Sequence, residues 1–223
     1  MIELSSRLKG IADLVPSGVN VSDIGSDHCL LPIYLASRGD IPYLQAIDNK
    51  KGPFLTMKKA VEDANLTDKI ELSLSSGLDC LSEKTNCIVL AGMGGKLIQE
   101  ILLRGKSALS HVDYILIDAH RDLVSTRQTI VNLSYQIDDE TMIFEGGLYY
   151  SLIRFKKGET RDYSLQDYFF GPVLRKKKGP VFKAFLLENK KRIQGILLQD
   201  LSIKSRNHYD ELLAMINAEL ARL

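Results

Sequence analysis

Apolar positions along the chain fall into two alternating patterns. Five short runs closed by turn residues, VNVSDIG (19–25), PYLQAID (42–48), KIELSLS (69–75), NCIVLAG (86–92) and DYILIDA (113–119), have the length and content of buried strands. Between them, LLPIYLASRG, GPFLTMKKAVEDANL and GKLIQEILLRG repeat apolar residues at helical spacing. Strands alternating with amphipathic helices predict a parallel sheet covered on both faces. TMIFEGGLYYSLIRFKK (141–157) then predicts two strands about a Gly-Gly turn, so that an antiparallel hairpin completes the sheet. A polar connector, GETRDYSLQD, and FFGPVLRKKKGP follow. From Val181 the strand pattern is gone. VFKAFLLENKKRIQGILLQDL and HYDELLAMINAELARL repeat apolar residues at i, i+3, i+4 and i+7, and with SIKSRN between them they predict a helical hairpin. The expected fold class is α/β, a Rossmann-like domain over 1–160 followed by a small helical, coiled-coil-like domain over 161–223.

Composition narrows this little. Of 223 residues, 45% are apolar, enough for a core that needs no staples, and no apolar run approaches the roughly 20 residues of a membrane span. MIELSSRLKGIADLV lacks the pattern of a signal peptide. Cys29, Cys80 and Cys87 are odd in number and form no CxxC pair, which predicts reduced core thiols in a cytoplasmic, metal-free protein. We expect a monomer. Charge changes the picture more than composition does. The formal net charge is +1, yet Val173–Asn207 holds ten Lys or Arg against Glu188 and Asp200, which leaves an acidic body joined to a segment of +8. Such a distribution points to a polyanionic partner as well as to an ordinary solvated helix face.

Candidate chemistry gathers at strand ends. Asp23-Ile24-Gly25-Ser26-Asp27-His28 follows the first strand, where a Rossmann-type sheet receives its ligand. A dinucleotide fingerprint needs three glycines for a pyrophosphate. Here Gly25 stands between Asp23 and Asp27, and carboxylates suit a ligand carrying an ammonium and a sulfonium, as S-adenosylmethionine does. Asp27 is equally a candidate cap for the next helix. Asp48, beside Asn49 at the second strand end, is placed to accept two ribose hydroxyls. Ala91-Gly92-Met93-Gly94-Gly95-Lys96 allows a backbone to approach a flat ligand but lacks the Walker spacing of a phosphate loop. His120 follows the fifth strand and would face the same edge.

Ser6-Arg7-Leu8, Asp23-Ile24-Gly25-Ser26-Asp27-His28 with Leu31-Pro32, Gly52-Pro53-Phe54, Ala91-Gly92-Met93-Gly94-Gly95 and Phe170-Gly171-Pro172, in that order, resemble the bacterial tRNA (adenine-N1)-methyltransferase family that methylates adenine 22. The resemblance runs over nearly the whole chain. It implies a class I S-adenosylmethionine-dependent enzyme acting on tRNA. Asp23, Gly25, Asp27 and His28 would then surround the methionyl end and Asp48 and Asn49 the ribose. Ser76, Gly77 and Leu78 would flank the adenine, and Ala91, Gly92, Met93 and Gly94 would close the floor. Asp27 and His120 are the candidate catalytic residues. Arg7, Lys96, Lys176, Lys177, Lys178 and Arg192 are expected to contact RNA. Two positions depart from the family. Ser76 stands where an Asp is common, and Asp118-Ala119-His120 where Gln-Pro-Asn is usual. They leave open an altered RNA target or an inactive tRNA-binding member, and a nicotinamide-dependent oxidoreductase is the rival on the same sheet.

Overall fold

The structure is a computed structural model describing residues 2–159 and 161–223. It divides into two compact units, Met1–Asp162 and Tyr163–Leu223. In the first, the chain runs α1 (Ser6–Leu14), β1 (Val21–Ile24), α2 (Leu30–Arg38), β2 (Leu44–Asp48), α3 (Lys51–Asp63) and β3 (Ile70–Leu74). It continues through β4 (Cys87–Met93), α4 (Gly95–Arg104), a 3-10 turn at Lys106–His111, β5 (Tyr114–Ala119), α5 (Leu123–Asn132), β6 (Tyr135–Glu145) and β7 (Leu148–Lys157). Sheet order is β3-β2-β1-β4-β5-β7-β6, with β1 to β5 parallel and β7 antiparallel to both neighbours. Right-handed crossovers put α2 and α3 on one face and α4 on the other. The order reverses between β1 and β4, and their carboxyl ends open there as the crevice where such sheets bind ligands.

The five parallel strands lie within two residues of their expected positions. The hairpin is longer than its pattern suggests, since β6 begins at Tyr135, and Gly146 and Gly147 both take the positive φ (57° and 80°) of a two-residue turn. One apolar core joins Ile11 of α1, Leu35 of α2 and Met57 of α3 to Val21, Ala46 and Val89 of the sheet. Polar side chains also enter it, and one group of them satisfies itself. Ser22 Oγ donates to Gln45 Oε1 at 2.9 Å and lies 2.6 Å from Thr85 Oγ1, while Gln45 Nε2 donates to Ser73 Oγ and the Cys80 carbonyl, both at 2.9 Å. Cys29 and Cys87 are buried, and burial pushes each thiol up to about 12. Cys80 corrects the expectation of three core thiols, because it is exposed.

The second unit contains α6 (Leu165–Phe170), α7 (Pro172–Lys177), α8 (Pro180–Leu197) and α9 (Ile203–Leu220). Half of the expected connector is therefore helical. Ser164 and Asp167 close a capping box on α6, and Gly171 (φ 86°) separates α6 from α7. SIKSRN is corrected in the same way. Ser202 accepts the Ser205 N–H as N-cap, so Ile203–Asn207 form the first turns of α9 and the connection is five residues, 198–202. Phe182, Leu186 and Ile193 are the buried residues of α8, facing α9, whose Ile216 and Glu219 are buried.

Candidate active site

Two cavities open at the carboxyl ends of β1, β2 and β4, and Gly25 lines both. Its backbone crosses over from β1 with the amide donating to the Ile47 carbonyl at 2.8 Å. At φ 75°, with the Met93 methyl 3.0 Å from where a Cβ would stand, glycine is required.

The larger cavity, about 510 Å³, has Asp48 and Asn49 on the β2 side, Ser75, Ser76 and Gly77 after β3, and Met93, Leu97, Ile101 and Arg104 on the β4–α4 side. Asp48 is held in place by the Lys50 N–H, which donates to Oδ1 at 2.9 Å, and its own carbonyl accepts the Ser75 N–H. Arg104 Nη2 donates to the Ser76 carbonyl (2.8 Å) and hydroxyl (3.0 Å), tying the post-β3 loop to α4. Leu97, Ile101 and Arg104 carry no strand-end or glycine signal and went unread in the sequence.

The smaller cavity, about 320 Å³, is lined by Arg7, Asp23, Ser26, Asp27, His28, Ala91 and Gly92 among others. Asp23 is almost wholly buried and accepts the Ser26 hydroxyl at 2.6 Å. Burial pushes its carboxyl up to about 6, against the Ser26 hydrogen bond that draws it down, with the Asp48 charge adding to the rise. Asp27 (φ 48°) and His28 are exposed, with Nε2 of His28 3.4 Å from Oδ2 of Asp27. Asp27 does not cap α2; that position belongs to Cys29.

Several expected residues lie elsewhere. Leu78 does not line the larger cavity but packs under Gly105, and Gly94 is the N-cap of α4, lining neither cavity. Gly95 makes room for α5, because a Cβ there would stand 2.4 Å from the Arg121 carbonyl. His120 also lines neither cavity. Its N–H donates to the Met93 carbonyl and its ring meets Tyr150 edge-on at 5.8 Å. Arg7, expected to contact RNA, has partners on the inner side of the site. Its guanidinium turns into the smaller cavity, forms an ion pair with the fully buried Asp118 and lies 5.4 Å from the Tyr150 ring centroid. Lys96, Lys176, Lys177, Lys178 and Arg192 are exposed, Lys178 donating to the Arg222 carbonyl.

Residues 4–153 match the model of a methyltransferase domain family. The tRNA (adenine(22)-N(1))-methyltransferase of Bacillus subtilis (strain 168) is 31% identical over 188 residues, 81% of this chain and 79% of the relative. The chain belongs to the tRNA (adenine(22)-N1)-methyltransferase family. Streptococcus pneumoniae Sp1610 superposes with a TM-score of 0.93 at 30% identity, covering 98% of this chain and 100% of that one, and has also been solved with S-adenosyl-L-methionine. M. capricolum TrmK, in complex with S-adenosyl-homocysteine, superposes at 0.87 with 25% identity and 98% of each chain covered. Family membership thus extends over both units, and it settles against a nicotinamide-dependent oxidoreductase.

Proposed function

We propose that this chain transfers the methyl group of S-adenosylmethionine to N1 of an adenine in tRNA, at position 22. The observation that carries it is the pair of cavities meeting at Gly25, one with a carboxylate at a strand end for a ribose and the other rimmed by carboxylates. The residues fit the cofactor. Asp48 keeps one carboxylate oxygen clear of the Lys50 amide for the ribose hydroxyls, Ser76 and Ile101 bound the space for a base, and Asp23 and Asp27 suit an ammonium group. When bound, S-adenosylmethionine supplies an electrophilic methyl on a sulfonium.

Adenine N1 carries its own lone pair, so the protein must align it more than activate it, and alignment of this kind lowers a barrier by as much as roughly 7–11 kcal/mol. The base becomes cationic as the methyl arrives. We assign the stabilisation of that charge to Asp27, which lines the smaller cavity with its carboxylate exposed. We give no catalytic role to His120, which lines neither cavity and neighbours Tyr150. The exposed lysines of the second unit would hold tRNA through its phosphates. We place the reaction in the cytoplasm, with its tRNA substrate.

The test is incorporation of labelled methyl into unmodified tRNA followed by nucleoside analysis. 1-Methyladenosine is the expected product, and its absence when the wild-type transcript is replaced by one carrying guanine in place of adenine 22 fixes the site. Another methylated nucleoside would mean that the changes at 118–120 have redirected the enzyme, and no incorporation would overturn the function.

A further inference from the structure

Asp118 is fully buried at the end of β5, and one of its carboxylate oxygens has no partner among the described residues. The other is paired with Arg7, which comes from α1, 111 residues away. A buried ion pair is a poor source of stability, because desolvating two charges offsets their attraction. This one lies beside the reaction cavity. The Arg7 guanidinium lies against Gly92 at the end of β4, 3.5 Å from where a Cβ would stand, and glycine is favoured there by its φ of 75°. The Arg7 guanidinium carbon lies over the Tyr150 ring, 5.4 Å from its centroid and within cation–π range, and the ring's neighbour is His120.

We propose that Arg7, pinned by Asp118 and backed by Tyr150, is the flat platform on which the acceptor adenine stacks; the proposal rests on the methyltransferase activity above. Three observations carry it. The nucleoside side of the site, Asp48 and Ser76, belongs to β2 and β3, so an acceptor in line with the methyl must arrive from the β4–β5 side, where Arg7, Gly92 and Tyr150 lie. A guanidinium is planar and stacks on nucleobases as an ammonium does not. The platform also has to tolerate a base that turns cationic on methylation. A lone arginine would oppose that charge, whereas the Arg7–Asp118 pair is close to neutral as a unit.

The experiment compares Arg7→Lys with wild type. Lysine keeps the charge opposite Asp118 and loses the plane. Calorimetric titration with S-adenosylhomocysteine reads the cofactor side, and methyl transfer over a tRNA concentration series reads the acceptor side. The expected result is an unchanged cofactor dissociation constant, an unchanged KM for tRNA, which is set mainly by phosphate contacts, and a kcat lower by about ten- to a hundredfold. Tyr150→Leu, which removes the backing ring without touching the buried pair, should lower kcat in the same direction and leave cofactor binding alone. Cofactor affinity falling in step with kcat in Arg7→Lys would place the guanidinium on the methionyl group and overturn the proposal. So would a kcat unchanged in both variants. Wild type that forms no 1-methyladenosine would instead remove the function itself, a failure visible before either variant is made.

Discussion

Asp23 has the environment most sensitive to pH. Its carboxyl, raised by burial to about 6, binds a proton that the unfolded chain, with an aspartate near the ordinary value of about 4, has already lost. The contribution to stability is therefore complete below about pH 4 and declines as pH rises through 6, by no more than about 3 kcal/mol for a shift of this size. A ligand ammonium favours the ionised form, so cofactor binding has the opposite slope. We expect the affinity for S-adenosylhomocysteine to fall by up to about tenfold per unit as pH drops below 6, and Asp23→Asn to be weaker binding, indifferent to pH in that range, and more stable than wild type at pH 8. Titration calorimetry across this range and thermal unfolding at its alkaline end would measure these effects; a slope unchanged in Asp23→Asn would assign the proton to another group. Asp23, Asp27 and Asp48 were legible in the sequence because a carboxylate at the end of an apolar strand has few structural reasons to be there. Arg7 and Asp118 were not, because no local pattern marks a pair whose members are separated by most of the sheet. Ser76, expected beside the adenine, lines the larger cavity and is also held by Arg104, a partner on a helix that its periodicity presents only as amphipathic.

At the scale of elements, strand positions were readable from apolar runs even though Ser22, Gln45 and Thr85 sit among them fully buried, because their polar groups satisfy one another. The helices α6 and α7 went unread, since six residues are too few to show a period. Glycine misled in the loop before α4. Gly95 reads as part of a ligand loop, but it lies against α5, where an added Cβ would meet a backbone carbonyl and the Thr126 hydroxyl, each at 2.4 Å. Helix propensity favours Gly95→Ala by roughly 0.5–1 kcal/mol, while overpacking costs about 1–3 kcal/mol. The clash is with backbone, so it prevails, and Gly95→Ala should lower the unfolding midpoint. A raised midpoint would show that α4 and α5 separate freely. A second element pair, α5 and β6, is joined by the buried ion pair of Arg127 and Glu140 at 3.0 Å. Glu140→Ala should cost about 3–5 kcal/mol in chemical denaturation, the loss expected when one buried charge is left uncompensated.

Across the whole molecule, the charge asymmetry seen in the sequence survives folding with one deduction. Arg175 is committed to Asp167 and to the buried Glu219, so it belongs to the framework of the second unit and not to its open surface. The proposed tRNA contacts would fall to residues such as Lys176, Lys177 and Lys178, which are exposed. Replacing these three by alanine should weaken tRNA binding and make its dependence on log salt shallower by up to about three, near one for each phosphate that is no longer neutralised. Filter binding over a salt series tests this, and an unaltered slope would mean that RNA lies elsewhere. The position of α1 has a consequence of another kind. This helix is made early, yet it packs on β6 and β7; Gly10 abuts Leu152 and Ile143, and the Leu14 carbonyl accepts from Arg154. On the ribosome, its apolar face can meet α2 early, but the part that packs on the hairpin waits until β6 and β7 have emerged. The nascent chain would therefore carry a half-covered helix through much of its synthesis, and the pocket holding Arg7 would be sealed last, when α1 and the hairpin meet.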